Sequence, residues 1–356
     1  MKTLKLIFTS LFRNDAAMEG RFQKWYFAAI LFMLSVILAT LPLFVNTAGT
    51  SGSDFMNSTL YSFDVGIQRF SEALVTNDVD LVVTEDGEYR ALVNANNTYE
   101  TAFSDVEGAA NFHYFNYKDH TDATKLKVYY QGQASDADTT LFLNNKLALP
   151  NSATEINLDI VSFVFLAKRS LYVYIYNPSK VASGTATGAD YERVLVGDYL
   201  ALDVGTNLKD MVRIDEFGNP ILPPVSPDQY AEYQAKIIRN WRIFFDNSYA
   251  NNKQVLLWTT TSIMLGVNTL LGIFMSLLIF IMTRGKTNPN RTLKFGEAFK
   301  VGGWLLLSPA LISLIVGFIF PSYASMAFVL LVGLRMMWLS SRTLRPPLQQ
   351  TPVAKK

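Results

Sequence analysis

The spacing of apolar and polar positions changes several times along the chain, and each change predicts an element. Residues 254–283 are thirty consecutive positions without Asp, Glu, Lys, Arg or His. As a helix the run would rise about 45 Å, more than the roughly 30 Å hydrocarbon core of a bilayer. Three more apolar runs cover residues 25–45, 301–320 and 322–339, the last interrupted only by Arg335. The pattern predicts transmembrane helices at 25–45, 254–283, 301–320 and 322–340. On the second, Thr259, Ser262, Gly266, Thr269, Gly272 and Ser276 follow one another at steps of three or four. Small residues let helices approach closely in lipid, so these six form the expected helix-packing face. Pro309, inside the third run, removes an N–H and frees a carbonyl one turn earlier.

Ahead of the first run, Leu4, Ile7, Phe8 and Leu11 sit at i, i+3, i+4 and i+7. Lys2, Lys5, Thr9 and Arg13 take the other positions. That periodicity predicts a short amphipathic helix in the membrane interface within residues 1–24. Between the first two spans lies a long mixed segment, residues 46–253. It opens on a Gly/Ser/Thr-rich stretch, 46–54, expected to be a linker. Phe55, Leu60, Phe63, Ile67, Phe70 and Leu74 then keep a mostly helical spacing.

From Val79 the period becomes two, and strands are expected at 80–84, 88–93, 111–117, 125–131, 139–143, 146–149, 157–166 and 170–176, with one or two more in 193–204. Glu85-Asp86-Gly87 and Asn144-Asn145 read as hairpin turns, and 181–190 as an exposed loop. Tyr172, Tyr174 and Tyr176 alternate with Val173 and Ile175, as in a strand with two unlike faces. Four prolines in 218–227 predict an extended spacer. Asp228 is placed to cap a helix running to Asn247, with Tyr230, Tyr233, Ile237, Trp241 and Phe244 on one face. The class expected is an α+β membrane protein: four transmembrane helices with a large β-rich extracytoplasmic domain between spans 1 and 2.

Charge gives this arrangement a direction. Residues 46–253 hold 27 acids and 16 bases, a net −11, whereas residues 1–45 carry +3 and residues 254–356 carry +9. Basic flanks stay on the cytoplasmic side. The N-terminus, the loop 284–300 and the tail 341–356 are therefore expected in the cytoplasm, and residues 46–253 outside. The first run is longer than a signal-peptide core and reads as a retained signal anchor. Lys24, Trp25 and Tyr26 mark its inner boundary, and Trp338 marks that of the fourth span. Arg335 lies seven residues before Arg342 and is expected to snorkel to the headgroups, although an intramembrane charge is also a functional candidate by default. The basic tail suits anionic lipid.

Candidate chemistry is sparse. There are no cysteines, so disulfides, thiolate metal sites and cysteine nucleophiles are excluded. His113 and His120, with Asp119 and Asp122, have no spacing that forces ligands to converge. Asp136, Asp138 and Thr140 begin like a calcium loop but lack its glycine at the sixth position and glutamate at the twelfth. No phosphate-cradling loop and no nucleophile elbow occurs. No enzymatic activity and no cofactor is expected, and the acidic balance of 46–253 disfavours nucleic acid. The 17 tyrosines of the chain offer stacking surfaces for sugars.

Phe8, Ser10, Leu11 and Phe12 ahead of a span opening Lys24-Trp25-Tyr26 form one recognisable segment. The run from Leu293 to Lys300, reading LKFGEAFK and followed by Pro309, forms another. Together with the β-containing domain they resemble the maltodextrose-utilisation-protein family of Gram-positive bacterial membrane proteins. That resemblance implies an accessory link to carbohydrate uptake, with a sugar transporter as partner, and no catalytic residues. The order of elements is also similar to that of FtsX-like and MacB-like permeases, which implies instead a separate cytoplasmic ATPase acting through the loop 284–300.

Overall fold

The computed structural model describes residues 2–58, 61–92, 104–106, 109–131, 140, 162–176, 191–286, 288 and 290–344. The described residues are mostly helical, with four helices among them long and apolar enough to cross a membrane and a small mixed sheet. It divides into two compact units, one of Met1–Gly49 with Val255–Lys356, the other Thr50–Gln254.

The first unit begins with helices α1 (Lys2–Phe12) and α2 (Asn14–Glu19), a 3-10 turn (Gly20–Phe22) and the long helix α3 (Trp25–Gly49). Beyond α4 (Phe55–Ser58) and α5 (Tyr61–Thr76), which belong to the other unit, it continues with the end of α6 (Pro227–Met282), then α7 (Phe295–Ile319), a 3-10 turn (Pro321–Tyr323) and α8 (Ala324–Trp338). The predicted amphipathic helix splits its apolar residues between two sides. Leu6, Ile7 and Leu11 pack on the bundle, while Leu4, Phe8 and Phe12 are exposed. Helix α7 opens six residues earlier than the expected span, and its first turn is capped by the Glu297 carboxylate, which accepts the Lys294 backbone N–H at 2.8 Å. A side chain reaching back in this way satisfies one of the orphan donors of a first turn. The loop expected over 284–300 is therefore shorter.

In the second unit, α4 (Phe55–Ser58) and α5 (Tyr61–Thr76) lead to a two-stranded sheet, β1 (Asp80–Val83) and β2 (Tyr89–Leu92). Gly87, at φ +68°, makes the turn between them, and its N–H donates to the Thr84 carbonyl at 3.0 Å. Such a backbone is open to glycine and strained for most other residues. A six-stranded sheet follows in sequential order: β3 (Ser104–Val106), β4 (Ala109–Lys118), β5 (Thr124–Gln131), β6 (Ser162–Leu166), β7 (Ser170–Tyr176) and β8 (Tyr191–Asp198). All neighbours are antiparallel except β5 and β6. One face of the sheet, with Leu126, Val128, Val164, Leu171 and Val173, packs against Phe63, Ile67, Phe70 and Leu74 of α5 and against Ile237, Trp241, Phe244 and Phe245 of α6. The unlike faces expected of residues 170–176 are present: Val173 joins this core, while Tyr174 stacks on Phe163, ring centroids 4.8 Å apart.

Several expectations are corrected. Residues 46–54 are not a free linker: α3 runs on to Gly49, Gly52 packs against the Phe245 carbonyl, and the Ser53 N–H donates to the Asp246 carboxylate at 2.8 Å. Asp228 is not the cap of its helix. Pro227 opens α6, where its missing N–H costs nothing, and Asp228 falls in the first turn. The one or two strands expected in 193–204 are met by one, which ends at Asp198. The strands expected at 139–143 and 146–149, the start of that at 157–166, the Asn144-Asn145 turn and the loop 181–190 lie outside the described residues apart from Thr140.

Candidate functional site: a buried arginine junction and an acidic cleft

Within the membrane-type unit, the end of α6 turns one line of residues inward. Thr261, Asn268, Gly272, Ser276, Ile279 and Thr283 are buried. The Asn268 amide donates to Thr40 of α3 at 3.0 Å. A Cβ on Gly302 of α7 would collide with the Ser276 hydroxyl, so the two helices meet at hydrogen-sized side chains. Of the six residues expected on the packing face, Gly272 and Ser276 lie on this line and Thr269 at its margin. Thr259, Ser262 and Gly266 are exposed, and a Cβ on Gly266 would meet nothing within 4 Å. The cause is helical drift. At about 100° per residue, steps of 3, 4, 3, 3 and 4 leave Thr259 about 140° and Gly266 about 120° from Gly272.

Of the interface residues, Lys24, Trp25, Tyr26 and Trp338 are exposed. The Trp25 ring stacks on Phe299 at 5.1 Å, and the Lys24 ammonium sits 5.9 Å from the Tyr26 ring centroid. Arg335 does not follow the expectation. It does not snorkel: it is 8% exposed and turned into the bundle. Its Nη1 donates to the Leu305 carbonyl at 3.0 Å, its Nη2 to the Ser10 carbonyl and its Nε to the Asn14 side-chain oxygen at 3.4 Å. Both carbonyls have a reason to be available. Leu305 lies four residues before Pro309, which has no N–H to give it. Ser10 lies in the last turn of α1, where carbonyls lack helical partners and the helix dipole is negative.

The guanidinium thus gathers acceptors that backbone geometry has orphaned and joins the N-terminal segment to α7 and α8. Further contacts fix the same segment. A Cβ on Gly20 would lie 2.5 Å from the Trp304 indole, so the 3-10 turn is in contact with that ring. Lys300 donates to the Gln23 carbonyl at 2.8 Å, and Arg21 to the Asn290 side chain at 3.2 Å. Sequence reasoning did not find Ser10 and Asn14 as partners. Ser10 accepts through its backbone carbonyl, which no residue type announces, and only the uncharged polar Asn14 ahead of the first span was a signal.

The second unit holds an open cleft of about 440 Å³. One wall is the segment from Leu202 to Glu216, the other the α6 turn from Asn240 to Asn247. The first wall is laid along β1. The Val83 N–H donates to the Thr206 carbonyl at 3.0 Å, and Gly205 donates back to the Val83 carbonyl at 2.8 Å. Asn207 caps the following 3-10 turn (Leu208–Val212) through the Lys209 N–H. The Lys209 ammonium reaches Asp78 at 2.7 Å and Asp80 at 2.9 Å, and these hydrogen bonds, the Asp78 one foremost, raise its pKa. Asn240 joins the walls: its amide N–H groups donate to the Met211 and Ile214 carbonyls at 2.9 and 2.7 Å. Hydrogen bonds from the Asn219 and Phe217 backbones hold the Asp215 carboxyl below its ordinary range.

Of the other groups weighed for chemistry, His113 is buried on β4 with its ring 5.2 Å from that of Tyr130. Asp119 closes a turn by accepting from the Thr121 hydroxyl and the Thr121 and Ala123 N–H groups, which depresses its pKa. Asp136 and Asp138 lie outside the described residues. Among the described residues no group of His, Asp or Glu is gathered closely enough to hold a metal ion. No protein-family model, curated protein or solved structure matches this chain.

Proposed function

We propose that the chain is a non-enzymatic, multi-pass protein of the cell membrane whose residues 46–253 stand outside the cytoplasm and bind, sense or scaffold a partner, in the service of carbohydrate uptake. The observation that carries this reading is the charge partition across four candidate spans: −11 between the first two, +3 before them and +9 after. The link to sugars rests on the resemblance to the maltodextrose-utilisation-protein family. The test is affinity capture of the full chain from detergent-solubilised membranes, with a binding screen against oligosaccharides. Recovery of a sugar transporter, or saturable carbohydrate binding, is expected. If neither is found, the reading fails.

One observation favours a second reading, a permease-type subunit working with a cytoplasmic ATPase. The N-terminal segment is joined to the connection before α7 by the Arg21–Asn290 contact and to the start of α7 by the Lys300–Gln23 contact, which makes one basic platform of separate parts of the chain. Cross-linking from Lys286 in whole membranes would capture an ATPase on this reading and none on the first.

A further inference from the structure

We infer that the Arg335 junction binds a monatomic anion, a halide such as chloride, as the counter-ion its guanidinium lacks. That group is buried, and its three acceptors, the Leu305 and Ser10 carbonyls and the Asn14 side-chain oxygen, are all neutral. No carboxylate pairs with it among the described residues. A guanidinium has five N–H groups, so these three bonds leave two over. A buried cation on an apolar helix is costly unless an opposite charge reaches it.

A second observation does not depend on that charge. Asn14 is 4% exposed, and although its oxygen accepts from Arg335, its nitrogen Nδ2 is buried without a hydrogen-bond partner. Both atoms belong to one amide, so the orphaned N–H groups lie beside the guanidinium. Arg21 Nε and Trp304 Nε1 are orphaned in the same way, on the turn after α2 and on the part of α7 which that turn touches. Every one of these atoms is a donor. Among the described residues the junction is thus short of acceptors, and the charge at its centre is positive. A water molecule would bring two hydrogens that themselves need acceptors, whereas an anion brings only lone pairs.

Space sets the size of the ion. Arg335 lines a cavity of about 10 Å³, walled by Met275 and Ile279 of α6, Leu305 and Leu306 of α7 and Val332 and Met336 of α8. That is on the order of what one water-sized occupant needs, and too little for a carboxylate or a phosphate. The walls are apolar, which favours a singly charged halide over an ion of higher charge, because the cost of leaving water rises steeply with charge. The ion answers Asn14 of α2 and Arg335 of α8 together, so docking of the N-terminal segment strengthens with chloride. This goes beyond the reading of residues 46–253 and stands whatever they bind.

The test uses the full chain in lipid nanodiscs at fixed ionic strength, with sodium chloride replacing sodium gluconate, and reads hydrogen exchange of the α1 and α2 amides. Exchange should slow saturably with chloride, about tenfold once chloride stands tenfold above its dissociation constant, and bromide should act alike. Asn14→Asp sets a carboxylate against the guanidinium, and exchange there should be slow at every chloride concentration. Arg335→Met removes the cation, and exchange there should be fast and indifferent to chloride. Unchanged exchange in α7 shows that the bundle is kept. Where Asn14→Asp disturbs α7, Arg335→Met decides alone. No slowing by chloride in the wild-type chain overturns the inference, as does undiminished slowing in Arg335→Met or in a folded Asn14→Asp.

Discussion

Replacing Arg335 by Met keeps an unbranched stem, two atoms shorter, and removes every donor. Three acceptors are then left without it: the Leu305 carbonyl, the Ser10 carbonyl and the Asn14 side-chain oxygen. An orphaned buried acceptor costs about 1–3 kcal/mol in water-soluble proteins, but interhelical hydrogen bonds in membranes average only about 0.6. Taking about 1 kcal/mol for each acceptor gives a loss of about 3. Against this stands a gain, since the substitution removes a buried cation that has no carboxylate partner among the described residues. A central charge costs about 2.5–3.5 kcal/mol in a span, and Arg335, near the end of one, is credited with about 1. The net is about 2 kcal/mol, or roughly 30-fold in the equilibrium between docked and released N-terminal segment. Hydrogen exchange in lipid nanodiscs reads it directly. Amides of α1 and α2 should exchange about 30-fold faster, while those of β6 and β7 keep their rates. Pro309→Ala in the same background supplies the N–H that the Leu305 carbonyl lacks, and should recover about fivefold. Unchanged or slower exchange in Arg335→Met, or no recovery with Pro309→Ala, would refute the reasoning.

Other substitutions probe the remaining packing. Gly302→Val, which drives a branched side chain into Ser276, should lower the melting temperature in detergent by an amount equivalent to about 1–3 kcal/mol, whereas Gly266→Ala should be neutral or slightly stabilising. Asn240→Ala frees the Met211 and Ile214 carbonyls and should cost about 2 kcal/mol in denaturant unfolding. Burial raises the pKa of Asp64, against a lowering by Arg242, so the stability that its protonated form contributes is present below the unfolded carboxyl pKa and lost as pH rises through the folded one. Asp64→Asn should therefore raise the melting temperature at pH 7 and bring no gain at pH 3.

What could be read from residues alone follows the range of the interaction. The apolar runs and the Gly87 turn are local, and they emerged as helices and as a hairpin. The parallel pairing of β5 with β6 is a register between distant segments, which no local period encodes. Residues 46–54 look like a linker by composition, yet their backbone groups find partners at Asp246 and Asp54, far and near in sequence. Arg335 is the sharpest case. A basic residue near the end of a span suggests snorkelling, and only the folded chain brings up acceptors more than 300 residues away. The Pro309 half of that junction was legible, because a missing N–H announces a free carbonyl.

The orientation of the two units about the membrane is the claim on which the functional reading depends, and the lack of native cysteine makes it directly measurable. Single substitutions Val225→Cys and Lys286→Cys, both at exposed positions, would be treated in intact cells with a membrane-impermeant maleimide. Labelling of Val225→Cys at once, and of Lys286→Cys only after permeabilisation, is the predicted result. Labelling of Lys286→Cys in intact cells with Val225→Cys protected would contradict it.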